Sequence, residues 1–124
     1  MAKHDLEDRL VQFGCTTCQL TKQFPRTPAG QHAAFQLTRS STSPFANYGE
    51  VQSAESRRDF IHKMGICLKE LRETRTWLKF ASKMSLSSAE SINVVLHECD
   101  ELLAILATSI ATARRNGTIG TNDQ

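Results

Sequence analysis

The sequence has 124 residues, with 15 Lys and Arg against 13 Asp and Glu and only six glycines and three prolines. This length fits one domain, and the nearly balanced charge means that only a local concentration of cations can argue for a nucleic-acid partner. No run of 18 apolar residues and no signal-like N-terminus occurs, so we expect a cytoplasmic protein without a membrane partner and with its four cysteines as free thiols.

Two helices are predicted in the first half of the chain. The first runs from about Asp5 to Gln23, because apolar residues recur there at spacings of four and three, and Phe24-Pro25 ends it. The second begins at Thr27-Pro28, an N-cap residue followed by proline at the first helical position. We expect it to continue to about Glu50 with a kink near Pro44, because proline removes a backbone donor.

Two longer helices are predicted in the second half. The third runs from about Ala54 to Lys83, and its apolar seam consists of Phe60, Met64, Cys67, Leu71, Thr74, Leu78 and Ala81. The fourth begins at Ser87-Ser88-Ala89-Glu90, which has capping-box spacing, and ends at Asn116-Gly117. Its predicted seam consists of Ile92, Leu96, Cys99, Leu103, Leu106, Ile110 and Ala113, thickened by Val95, Leu102 and Ile105.

These patterns predict an all-α, antiparallel up-and-down four-helix bundle. Residues 1–117 form its single domain, and residues 118–124 form a flexible C-terminal tail. Trp77 and Phe80 flank the third seam, so they either complete the core or lie at a contact between subunits.

The outward face of the third helix carries cations without an interleaved acid. Its cations, which we call the basic stripe, are Arg58, Lys69, Arg72, Lys79 and Lys83. Such a stripe is either a solvated helix face or a surface that meets a phosphate backbone or an acidic protein. The fourth helix carries Glu90, Glu98, Asp100 and Glu101, so oppositely charged faces could also pair between subunits.

Cys15 and Cys18 are the candidates for thiol or metal chemistry. They fall in the middle of a helix without a second such pair, which favours structural packing, while a thiol-dependent redox or metal-binding protein is the alternative function. Cys67 and Cys99 occupy seam positions and are predicted to be core residues. The four histidines share no ligand spacing and are expected at the surface. No phosphate loop or catalytic motif is present, so no enzyme activity and no cofactor are predicted.

The junction between the second and third helices resembles a known family. The matching segments are Arg39-Ser40-Ser41-Thr42-Ser43, Ala46-Asn47-Tyr48-Gly49-Glu50 and Ser56-Arg57-Arg58-Asp59-Phe60-Ile61, followed by Glu73. This pattern is similar to that of the four-helix bundle protein family, also called the 23S rRNA intervening sequence protein or S23 family. The chain departs from it at Pro44, where many members place proline one position later, and at Val51, where they have glycine.

The resemblance implies a bacterial, cytoplasmic four-helix bundle that assembles as a homopentamer, and it brings no established activity. It leaves open whether the further partner is RNA, DNA or a protein, or whether the chain is a purely structural component. The matched polar residues Arg39, Asn47, Glu50 and Glu73 are expected to form a structural polar cluster, with a ligand site as the alternative.

Overall fold

Four helices make up the part of the chain that the structure describes. The computed structural model describes the backbone of residues 3–119 and the side chains of residues 5–117. The helices are α1 (Lys3–Thr21), α2 (Pro28–Gln52), α3 (Arg57–Lys83) and α4 (Ala89–Ile119), and residues 3–119 contain no strand. The predicted all-α four-helix fold is therefore confirmed.

The four helices pack as the corners of a square. Each helix packs against the next one in the chain, and α1 also packs against α4, whereas the diagonal pairs α1–α3 and α2–α4 do not meet within residues 3–119. Along the contact between α2 and α3, residue numbers fall in one helix as they rise in the other, as expected for antiparallel neighbours. Cys67 contacts Pro44, and Thr74 contacts Ser40. This arrangement places the face of α3 that carries the basic stripe on the outside of the bundle.

The helix starts follow from side-chain caps. The Thr27 hydroxyl accepts a hydrogen bond from the Gly30 N–H at 3.1 Å, with Pro28 as the first helical residue, as predicted. The Ser56 hydroxyl caps α3 in the same way, accepting from the Asp59 N–H at 3.0 Å. The third helix therefore begins three residues later than the predicted Ala54.

The start and end of α4 differ from the prediction. Ser88, rather than Ser87, is the capping residue, because its hydroxyl accepts from the Ser91 N–H at 3.1 Å, while Ser87 hydrogen-bonds Gln23, two residues past the end of α1. At the other end α4 continues to Ile119, two residues past the predicted stop at Gly117. The rest of the predicted tail, residues 120–124, lies outside the described residues.

The core confirms the predicted seam of α3 and four of the seven predicted positions of α4, namely Ile92, Cys99, Leu106 and Ile110. Six of the seven predicted α3 positions are buried, and Phe60 is half-buried. In α4, Val95 and Leu102 are buried, whereas Leu96 and Leu103 are only half-buried. At positions 95/96 and 102/103 two apolar residues are adjacent in sequence, and the position of the neighbouring helices decides which of the two is buried.

Small polar residues line the contact between α2 and α3. The helix α2 runs without interruption through Pro44, which is buried, to Gln52. Ser40 and Thr74 are fully buried with their hydroxyl oxygens 2.8 Å apart, and Thr74 also donates to the Glu70 carbonyl at 2.9 Å. These hydroxyls satisfy one another inside the bundle and let two helix backbones approach closely. Among the described residues, no helix has the length and apolarity needed to cross a membrane.

Candidate functional site

The basic stripe is an exposed, unpaired row of cations on α3. All five of its side chains are exposed, and within residues 5–117 none of the five makes a hydrogen bond or ion pair with another side chain. Their successive spacings of 11, 3, 7 and 4 residues keep them on one side of the helix over about 37 Å. Gly65 lies in the same row, and a Cβ atom added there would meet nothing within 4 Å.

Other cations of α3 behave differently, because they lie on the flanks of the helix and are paired. The Lys63 ammonium is 3.1 Å from the Asp59 carboxylate and 3.9 Å from that of Glu50 in α2. On the opposite flank, Arg75 donates to Asp100 of α4 at 2.5 Å. The flanking cations therefore join α3 to its neighbours, whereas the cations of the stripe have their donors available to solvent.

The expected polar cluster is divided in two. Arg39 of α2 bonds Glu73 of α3, and its guanidinium also lies 3.5 Å from the Glu70 carboxylate. Asn47 instead donates to the Ser43 carbonyl and hydroxyl at 3.0 and 2.9 Å within its own helix. The structure thus brings Arg39 and Glu73 together and leaves Asn47 apart from them.

Glu50 lies apart as well and is 70% exposed, with Lys63 as its partner at 3.9 Å. Asn47 and Glu50 are both on α2, which continues past Pro44, so they occupy neighbouring positions three residues apart. Sequence reasoning missed the partners Glu70 and Lys63. Their positions on the α2-facing flank of α3 were the available signal.

Three aromatic rings extend from the Arg39–Glu73 pair. The Trp77 indole N–H donates to the Glu73 carboxylate at 3.4 Å. The Trp77 ring meets His32 of α2 with centroids 5.4 Å apart and Phe80 with centroids 5.6 Å apart, both edge to face. Trp77 is half-buried and Phe80 is 36% exposed. We call His32, Trp77 and Phe80 the ring cluster.

An ion-pair network that the sequence did not reveal joins α1 to α4. Arg9 donates to both oxygens of Glu98 at 2.7 and 2.9 Å and to Glu101 at 2.7 Å. Its hydrogen bonds to Glu98 and then Glu101 raise the pKa of Arg9, and the Arg9 hydrogen bond lowers the pKa of Glu101. His97 adds a contact to Glu101 at 3.1 Å. This network links α1 to the acidic part of α4.

Two of the four thiols are buried, and the two on α1 are at least partly exposed. Cys15 is exposed and Cys18 is half-buried on α1, so the expectation that Cys15 is packed is wrong: it faces away from the buried Phe13 two residues earlier. Residues 5–117 contain no group of three side chains suited to hold a metal ion. Cys67 and Cys99 are fully buried as predicted, and burial raises their pKa to about 11 and about 12. A high pKa keeps these two thiols protonated and unreactive.

The histidines whose side chains are described, His32, His62 and His97, are exposed as predicted, and the side chain of His4 lies outside the described residues. A cleft of about 830 Å³ between the start of α3 and the end of α4 is wide open, and among the described residues that line it only Arg57 is charged. It places no nucleophile next to a base in the described part of the chain.

Comparisons with known proteins agree on one family. A family model described as "23S rRNA-intervening sequence protein" matches residues 4–108. Among solved structures, a protein with unknown function from the S23 ribosomal protein family of Bacteroides thetaiotaomicron VPI-5482 is similar, with a TM-score of 0.79 and 29% sequence identity. The match covers 90% of this chain and 99% of that chain. No curated protein matches the chain.

Proposed function

The chain belongs to the 23S rRNA-intervening sequence protein family, and we propose that it is a cytoplasmic, non-enzymatic assembly protein whose basic stripe binds the phosphate backbone of a nucleic acid. The observation that carries the proposal is the row of five exposed cations without partners in the described chain. A phosphate can bind these groups without first breaking an ion pair. Each neutralised phosphate also releases counterions, which is the main source of sequence-independent affinity.

We further propose that five copies assemble, as the family resemblance implies. A closed ring needs two different faces that meet head to tail, and in this proposal the basic stripe lies outside both of them, so that it remains accessible to phosphate. Several stripes on one ring would engage one nucleic acid together and raise its apparent affinity. Native mass spectrometry should give a mass near five times 13.8 kDa. A clean monomer at micromolar concentration contradicts the assembly.

The binding proposal is tested by reversing three charges of the stripe. We expect the triple variant Lys69→Glu, Arg72→Glu and Lys79→Glu to no longer bind a fluorescein-labelled 20-nucleotide RNA or DNA. Fluorescence anisotropy from 50 to 200 mM salt measures this binding. The wild-type chain should bind more weakly as salt rises, because the cations of the stripe exchange for counterions.

A matched variant separates the stripe from total charge. Lys22, Arg26 and Arg115 are exposed and lie outside the stripe. Replacing these three with glutamate changes the charge by two units per site, so both variants go from +2 to −4. The control should keep most of the affinity. An equal loss of affinity in both variants would show that binding depends on the total charge of the protein rather than on the stripe. Absence of binding in the wild type would leave an acidic protein surface as the partner of the stripe.

A further inference from the structure

The ring cluster lies on α3 and α2 beside the C-terminal half of the basic stripe. We propose that it stacks unpaired bases of a single-stranded nucleic acid whose phosphates lie on the stripe. Phe80 is three residues before Lys83, so it borders the stripe directly on the helix surface. Cations beside exposed aromatic rings are the combination that single-stranded nucleic acids bind. This inference rests on the proposed function and narrows its substrate class.

The orientation of the rings is fixed before a base arrives. Trp77 contacts two other rings, with interplanar angles of 75° to His32 and 87° to Phe80. Its indole N–H is held by Glu73, which in turn is bonded by Arg39. A ring that is already ordered loses little conformational entropy on stacking. The cluster is therefore a preformed platform rather than a set of loose side chains.

The charges around the platform indicate on which side of the rings the phosphates of a bound strand lie. Glu73 and Glu70 lie four and seven residues before Trp77 on α3, and Arg39 of α2 is paired with both of them. Lys79 and Lys83 lie on the stripe and are unpaired among residues 5–117. Phosphates are therefore attracted to the outer edge of α3. The strand runs along the stripe with its bases turned towards α2, where the rings are.

A duplex cannot use this platform. Its bases are paired and stacked inside the helix, so the exposed rings of a bundle surface could reach only its backbone. A single strand offers the faces of its bases as well as its phosphates. Stacking on an aromatic side chain raises affinity roughly 5- to 150-fold for each base.

The chain contains a built-in probe of stacking. Trp77 is its single tryptophan, so the protein's tryptophan fluorescence reports on the ring cluster alone. Titration with an unstructured 12-nucleotide pyrimidine RNA, with DNA of the same sequence and with a 12-base-pair RNA duplex should quench the fluorescence only for the single strands. The single strand that binds with the higher affinity shows whether ribose or deoxyribose is preferred.

Three variants separate stacking from charge and from packing. Phe80→Leu keeps apolar bulk but removes the ring, and it should weaken single-strand binding at least fivefold while leaving duplex binding within twofold. Phe80→Tyr retains the ring and should restore single-strand affinity. Phe35→Leu is the matched control, because Phe35 is 65% exposed on α2 but lies outside the ring cluster. It should bind like the wild type.

The outcomes distinguish the two proposals. Equal binding of single strands and duplex, with unchanged fluorescence and no effect of Phe80→Leu, overturns the platform and leaves the phosphate-binding stripe intact. Absence of binding to all three nucleic acids at 50 mM salt overturns both. Loss of affinity in Phe35→Leu as large as in Phe80→Leu would show that any exposed ring suffices, and it would overturn the assignment to the ring cluster.

Discussion

Gly65 offers a way to strengthen the basic stripe without disturbing the fold. It lies between Arg58 and Lys69 in the row, and a Cβ added there meets no atom within 4 Å. We expect Gly65→Lys to extend the stripe by a sixth cation and to raise the affinity for nucleic acid. An additional phosphate contact should steepen the slope of log affinity against log salt by about 0.7 to 0.9. Affinity should then fall about threefold further than in the wild type between 50 and 200 mM salt.

The same substitution should also stabilise the protein slightly. Glycine inside a helix is about 0.8–1.0 kcal/mol less favourable than alanine, and lysine is among the better helix formers. Repulsion from Lys69, four residues later, removes about 0.2–0.5 kcal/mol of that gain. The remainder, about 0.5 kcal/mol, corresponds to a rise of about 2 °C in the melting temperature for a chain of this size. Differential scanning calorimetry measures it.

Gly49 supplies the control for both effects. It lies on α2 outside the stripe, and its added Cβ also meets no atom within 4 Å, so Gly49→Lys makes the same chemical change at an open site. Its stability gain should be smaller because it lies in the last turn of its helix, and its salt slope should stay that of the wild type. An equal increase in affinity for both variants would refute the reasoning, as would a loss of stability in Gly65→Lys.

Three further predictions concern the fold. Gly30→Ala should lower stability by about 1–3 kcal/mol in urea denaturation, because its Cβ would lie 2.1 Å from the carbonyl oxygen of Pro25, a backbone atom that cannot move aside; an unchanged midpoint would contradict this. Leu71→Ala, at a fully buried position, should cost about 3–5 kcal/mol in the same assay, and a loss below 1 kcal/mol would place Leu71 outside the core. Cys67 and Cys99, with pKa raised to about 11 and about 12, should not react with a thiol reagent at pH 8 until urea unfolds the chain; rapid reaction of both in the folded state would argue against their burial.

The helices could be predicted because each depends on information local in sequence. Thr27-Pro28 marks a helix start through its own side chain and ring, and the α3 seam repeats with a period that a single packed helix requires. The buried face of α4 could be predicted at Ile92, Cys99, Leu106 and Ile110 but not between them, because Leu102 and Leu103 are equally apolar. Only the placement of α1 and α3 around α4 decides between them.

The site could be predicted as far as it depends on one helix. The periodicity of α3 alone is enough to identify the outward positions that carry the basic stripe. Partners across helices depend on register, which no local pattern contains. Arg9 and Glu98 are 89 residues apart, and Trp77 and His32 meet only because α2 and α3 align at that level. The ring cluster therefore emerged from the structure and not from the sequence.

Fold stability does not account for the basic stripe. On its flanks α3 uses cations to stabilise itself and its contacts, as Lys63 does with Asp59 one turn earlier and Arg75 does with Asp100. Along the stripe, Lys79 and Lys83 are instead like charges four residues apart, an arrangement that slightly destabilises a helix. An anion bound between Lys79 and Lys83 would relieve this repulsion, which the ion pairs on the flanks do not reach. This contrast supports a role in binding phosphate.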